Sequence, residues 1–165
     1  MFSNKDLRKL IIPLVIEQLL AVTIGMADTV MVSSCGEAAV SGISLVDSIN
    51  FLLITLFSSL ATGGAVIASQ YIGRGDHKSA SLAAKQLFYA SLALSAVLGI
   101  IAVFFRKPVL NMVFGSIEAD VMAHAQIYFL LSAISYPFLA VYNAGAALFR
   151  SMGDSRTTML ISILM

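Results

Sequence analysis

Three stretches of this sequence carry no charge over lengths that match the thickness of a lipid bilayer. Ile49 to Ala68 and Gln86 to Phe105 are 20 residues each, and Ala125 to Phe149 is 25. A spanning helix needs about 20 mainly apolar residues, so each run is long enough to cross. A fourth run, from about Leu10 to Val32, is interrupted only by Glu17, Gln18 and Asp28. Thr157 to Met165 adds nine uncharged residues. At about 1.5 Å per residue they reach about 13 Å, less than half a bilayer. The expected fold is an all-α membrane protein, a polytopic helical bundle with four full spans and a truncated fifth. The spans are expected at about 10–32, 47–70, 84–105, 124–149 and 157–165, and no domain linker divides residues 1–165. A chain that stops inside the hydrocarbon is expected to be a fragment.

Composition agrees and removes other classes. The chain is 59% hydrophobic and 12% charged, whereas soluble domains are about 45–50% apolar and about 25% charged. A net charge of +1 offers no basic field for nucleic acid. The lone Cys35 cannot form an internal disulfide, and His77 and His124 are too few for a histidine-based metal site. Phe2 replaces the glycine that myristoylation requires. No phosphate-binding loop, zinc-protease motif or nucleophile elbow occurs, so no enzyme is expected. Any transport must then draw on an ion gradient or a partner.

The segments between spans carry loop chemistry. Gly36 to Asp47 is expected to join the first two spans, and Gly73 to Lys78 is polar and turn-rich. Arg106-Lys107-Pro108 should stop the third helix, Gly115 to Asp120 is acidic, and Arg150 to Arg156 precedes the fifth span. With the N-terminus in the cytoplasm, the inner segments hold eight cations: Lys5, Arg8, Lys9, Arg74, Lys78, Lys85, Arg150 and Arg156. The outer ones hold two, Arg106 and Lys107. Cations concentrate on the cytoplasmic side, so an inner N-terminus is expected.

Ionisable groups inside a span cost about 2.5–3.5 kcal/mol on insertion scales and mark function or a partner. Glu17 and Asp28 are 11 residues apart. Eleven helical steps end about 20° past three full turns, so the two share one face, about 16 Å apart along the axis. Gly25 between them leaves room for a neighbouring helix or a cavity. Asp28 lies deep in the outer half and reads as an ion or proton site, or else as a carboxylate hydrogen-bonded for packing. Glu17 reads as a second such site, or as a side chain snorkelling toward the cytoplasmic interface.

Weaker polar stripes run along other spans. Asp47, Ser58 and Ser69 recur every 11 residues, with Thr62 near that face and Asn50 one turn from Asp47. In the fourth span, Tyr128, Ser132, Ser135, Leu139 and Asn143 follow a 3–4 spacing, and Pro137 should free the carbonyl of Ala133. Gln18, Asn50, Thr62, Ser135 and Asn143 are candidates to line a cavity. Ser91, Ser95 and Gly99 are spaced for close helix packing.

The order of features is also specific. Pro13, Glu17-Gln18 and Met26-Ala27-Asp28-Thr29-Val30-Met31-Val32, followed by Gly36-Glu37-Ala38-Ala39-Val40-Ser41-Gly42, resemble the first helix and following segment of multidrug and toxic compound extrusion (MATE) transporters. Ala61-Thr62-Gly63-Gly64 with Ala68-Ser69-Gln70-Tyr71-Ile72-Gly73-Arg74-Gly75-Asp76 resembles the second helix and first cytoplasmic loop. Leu148-Phe149-Arg150-Ser151-Met152-Gly153-Asp154-Ser155-Arg156-Thr157 resembles the loop before the fifth helix; Thr158 departs from the proline often found there.

The resemblance implies twelve spans in two six-helix lobes, with this chain supplying most of the first. It implies a plasma-membrane antiporter that exports small organic cations or drugs by alternating access, in exchange for sodium ions or protons and without another cofactor. Asp28 falls on the family's coupling-ion aspartate, whose usual partners lie on the fifth and sixth helices, so a sodium site is only partly present here; one expected partner is the missing C-terminal lobe of the same chain. The other expected partner is the lipid bilayer. A lipid-linked oligosaccharide flippase of the same superfamily, or a non-transport assembly subunit, is the alternative. Apart from Lys85 at the inner end of the third, the expected spans carry carboxylates but no Arg or Lys, which favours cationic cargo.

Overall fold

The computed structural model describes residues 4–34 and 36–164; Phe2, Cys35 and Met165 lie outside them. Six helices follow in order: α1 (Asn4–Ser33), α2 (Glu37–Gly73), α3 (His77–Phe104), α4 (Arg106–Phe114), α5 (Ala119–Ser151) and α6 (Ser155–Leu164). Four of them are long and apolar enough to cross a membrane: α1 over Ile11–Ser33, α2, α3 and α5.

Several segments expected as loops are helical. α2 begins at Glu37, about three turns before Asp47, so all but Gly36 of the segment Gly36 to Asp47 is helix rather than a connection. Its small and apolar residues explain this: Ala39, Gly42 and Val46 are buried. Glu37 in the first turn also faces the helix's own positive end, which is favourable. Arg106-Lys107-Pro108 does follow the end of α3, but the same residues open α4. Proline in a first helical turn loses no hydrogen bond, because that N–H has no intrahelical partner. Ala119 and Asp120 belong to α5, as do Arg150 and Ser151, and Arg156 belongs to α6.

α2 and α5 run parallel and form the core, with α3 antiparallel between them in sequence. Val46, Phe57, Phe129, Tyr136 and Ala140 fill one end, and Ala61, Ala65, Ala68, Leu87, Ala144 and Ala147 the other. Small residues let backbones approach where lipid supplies no hydrophobic drive between helices. A Cβ on Gly42 would lie 2.8 Å from the carbonyl oxygen of Val121 and 3.0 Å from the backbone nitrogen of Ala125. A Cβ on Gly99 would lie 3.2 Å from the carbonyl oxygen of Ala133. That is the carbonyl released by Pro137; α5 nevertheless continues unbroken past the proline. Ser91 and Ser95 are buried on the same face of α3, as the packing spacing requires.

The turns that close α2–α3 and α5–α6 are built alike. Gly75 (φ 76°) and Gly153 (φ 84°) take the left-handed conformation that ends the first helix. The next N–H, of Asp76 or Asp154, donates back to Tyr71 O at 3.0 Å or Phe149 O at 2.9 Å. Each aspartate then caps the following helix, accepting from the N–H of Ser79 at 3.0 Å or Thr157 at 3.1 Å. Hydrogen bonds from Ser79, side chain first, hold the Asp76 carboxyl below its ordinary 3.8, and Thr157 does the same for Asp154. A lowered folded-state value means that the cap's contribution is complete above pH 3.8 and is lost as pH falls through that lower value. Amide exchange at Ser79, corrected for its intrinsic rate, should therefore accelerate in acid. In Asp76→Asn, which caps as well but cannot titrate, that acceleration should vanish.

Candidate functional site

α1 meets the rest of the bundle differently along its length. Its N-terminal half packs on α6, and every residue from Ala21 to Met31 is exposed. Asp28 lies on this exposed arm and lines a cavity of about 500 Å³ with Gly25 and Thr29 of α1, Ser44 and Asp47 of α2 and Tyr128 of α5. A Cβ on Gly25 would have nothing within 4 Å, so that glycine borders open space rather than a packed helix. Two carboxylates from different helices thus face one cavity.

Asp47 is held in place. Tyr128 Oη donates to Asp47 Oδ1 at 2.9 Å. One turn further on, Asn50 Nδ2 donates to Ser132 Oγ at 3.1 Å, and Tyr136 Oη donates to Asn50 Oδ1 at 2.9 Å. These bonds cross the α2–α5 interface on successive turns. Asn50→Leu is expected to destabilise the bundle by about 1 kcal/mol, since interhelical bonds in membranes are worth about 0.6 kcal/mol each. Thermal unfolding of the full-length protein in detergent checks this.

The cavity continues along α2. A neighbouring groove of about 380 Å³ shares Asp47 and Tyr128 with it and adds Asn50, Ser132, Ser135 and Leu139. A third, of about 450 Å³, shares Ile54 with the second and is lined by Ser58, Ser59 and Thr62. From Asp47 to Thr62 the series covers about 22 Å of helix rise. Its lining holds carboxylates, hydroxyls and an amide, and no Arg or Lys among the described residues. Oxygen donors of this kind suit a hard monovalent cation, a proton or a protonated amine.

Not every candidate side chain reaches out. The hydroxyls of Thr62 and Ser135 donate to their own helices, at Ser58 O and Leu131 O, though both residues line grooves. Asn143 donates to Leu139 O of its own helix at 2.8 Å. Gln18 is exposed on α1.

Glu17 turns into the bundle. Its Oε1 accepts from Tyr142 Oη at 3.3 Å and lies 3.9 Å from Arg150 Nη1, while Oε2 is buried without a hydrogen-bond partner. Tyr142 also pairs with Ser162 of α6. The side chain of Glu17 is 17% exposed, against 36% for Arg150. In the sequence Arg150 reads as a topological cation and as part of the loop before the fifth helix, and Tyr136, Tyr142 and Ser162 carry no assignment. An aromatic hydroxyl inside a span is the signal that could have found the tyrosines, because a buried Tyr usually seeks a polar partner.

The MatE family model matches residues 13–165 of the chain. The chain belongs to the MatE family. MatE proteins form a transporter family rather than an enzyme family. Among MatE relatives, an uncharacterised transporter YisQ of Bacillus subtilis is 32% identical over 159 residues, 92% of this chain and 33% of its own. A probable multidrug resistance protein NorM of Thermotoga maritima is 28% identical over 96% of this chain and 34% of its own. The chain therefore spans about a third of the length of the curated relatives it matches. A solved MOP superfamily transporter from Pyrococcus furiosus, described as having a binding pocket of reversed polarity, superposes with a TM-score of 0.81. It is 24% identical, over 97% of this chain and 35% of that one, a likeness of fold.

Proposed function

We propose that this MatE chain forms most of the first lobe of a secondary active antiporter. The antiporter exports organic cations or drugs across the plasma membrane, in exchange for sodium ions or protons, by alternating access. The supporting observation is the series of grooves along α2, lined by Asp28, Asp47 and hydroxyl groups with no fixed cation. A pathway of that polarity attracts positive cargo and repels the pyrophosphate of a lipid-linked sugar, which speaks against the flippase alternative.

In this reading the N-terminus and the two Gly-Asp turns face the cytoplasm, in keeping with eight inner cations against two outer ones. A coupling ion entering from outside is coordinated by Asp28, or neutralises it, beside Asp47 and Tyr128. That removes the repulsion between two carboxylates sharing one cavity and lets α1 settle against α2. The shift in the first lobe then favours the outward-releasing state. Ion-driven efflux from vesicles containing the full-length Asp28→Asn protein is the test, and undiminished coupled efflux would overturn the proposal.

A further inference from the structure

A separate, smaller groove lies where α1 meets α6, away from the polar series. It holds about 340 Å³ and is lined by Ile12, Pro13 and Ile16 of α1 and Met159 and Leu160 of α6, with Arg8 and Arg156 at one end. α1 and α6 run parallel here, so both arginines precede the apolar part of their helices at the same boundary of the membrane. Ile12 is 54% exposed and Leu160 56%, so the groove opens outward. Among the described residues no carboxylate lines it. Among the described residues neither arginine makes an ion pair, although Arg156 lies close enough to Asp154 to help lower its pKa.

We propose that this groove binds one anionic phospholipid. The phosphate sits between Arg8 and Arg156, and an acyl chain runs over Ile12, Ile16 and Leu160. The two ends of the groove match the two ends of the lipid. Guanidinium groups bind phosphate with paired, charge-assisted hydrogen bonds, and an apolar slot beginning one turn deeper accepts hydrocarbon. The volume falls in the range of small-ligand sites, about 300–1,000 Å³. Two cations with no carboxylate between them select a net negative headgroup over a zwitterionic one, whose own ammonium they repel. A free phosphate would leave the apolar slot unused.

The experiment measures phospholipid retained by the full-length protein after purification from membranes of mixed phosphatidylcholine and phosphatidylglycerol. Each basic residue at a membrane surface is worth about fivefold in binding, so the Arg8→Gln/Arg156→Gln double variant should retain about 25-fold less phosphatidylglycerol. Ile16→Trp keeps both charges but fills the slot, and it should also lower retention. A Lys78→Gln/Lys85→Gln control removes two cations elsewhere and should leave retention unchanged. Equal loss in that control would overturn the proposal in favour of diffuse surface attraction. So would unchanged retention in Ile16→Trp, or crosslinking of a cysteine at Ile12 to another part of the chain, which would place protein in the slot.

Discussion

Vesicles carrying the full-length Asp28→Asn protein are expected to show ion-driven efflux reduced by about 5- to 150-fold, the usual range of a coupling free energy between two sites. Asparagine keeps the size of aspartate and an oxygen acceptor, but it can neither carry a charge nor release a proton. Asp28 is exposed on α1 and lines a cavity, so the change leaves no hole in the core. Efflux should therefore fall without a matching fall in folded protein. Asp47→Asn gives an informative comparison. Tyr128 donates to Asp47 Oδ1, and the amide oxygen of asparagine can still accept that bond. If the two carboxylates hold one ion together, both variants lose ion dependence. If Asp47 serves only to fix Tyr128, its variant keeps it. A thermal unfolding curve close to wild type for Asp28→Asn secures the interpretation.

Gly42→Val should lower stability by about 3 kcal/mol, the upper part of the usual range for overpacking. The first carbon beyond Cα would already approach the Val121 carbonyl oxygen at 2.8 Å, the Ala125 nitrogen at 3.0 Å and the His124 Cβ at 3.2 Å. Two of these are backbone atoms of α5, so no rotamer change relieves the clash; the helices must separate. Separation would stretch the Tyr128–Asp47 bond little more than one turn away, and the Asn50 bonds beyond it. Denaturant or thermal unfolding of the full-length protein in detergent measures the loss. Gly42→Ala should fall between Val and wild type. A Val variant as stable as wild type would mean that α2 and α5 do not cross this closely.

The spans were legible because uncharged length is a direct consequence of bilayer thickness. The beginning of α2 was not. Glu37 to Asp47 has a glycine, two serines and two acids, which reads as a loop when hydropathy alone is weighed. Its helix is stabilised by packing of Gly42 and Val46 against α5, a tertiary cause that no local window contains. α4 is not legible for a related reason: Pro108 reads as the stop of one helix but is equally suited to the first turn of another, where it lies here. For the site, the shared face of Glu17 and Asp28 followed from helical geometry. Their partners did not, because α1 crosses the bundle and presents Asp28 to α2 and α5 but Glu17 to α5 and α6. The asparagine and serines of the stripes were visible, yet which of them bond across an interface and which fold back on their own helix depends on the rotation of each helix about its axis.

The uneven seating of α1 has a mechanical meaning. Within these six helices it is held near Glu17 by Arg150, Tyr142 and the contact with α6, and again past Ser33, where the chain passes into α2 at Glu37; Asp28 lies between, about 16 Å along the axis from Glu17. A tilt of α1 by about 10° about the Glu17 contact would displace the carboxylate by about 3 Å, several times the spread of about 0.5 Å over which hydrogen-bond lengths vary. In the proposed antiporter, such a tilt would turn a small adjustment near the cytoplasmic end of α1 into a change in the ion coordination assigned to Asp28.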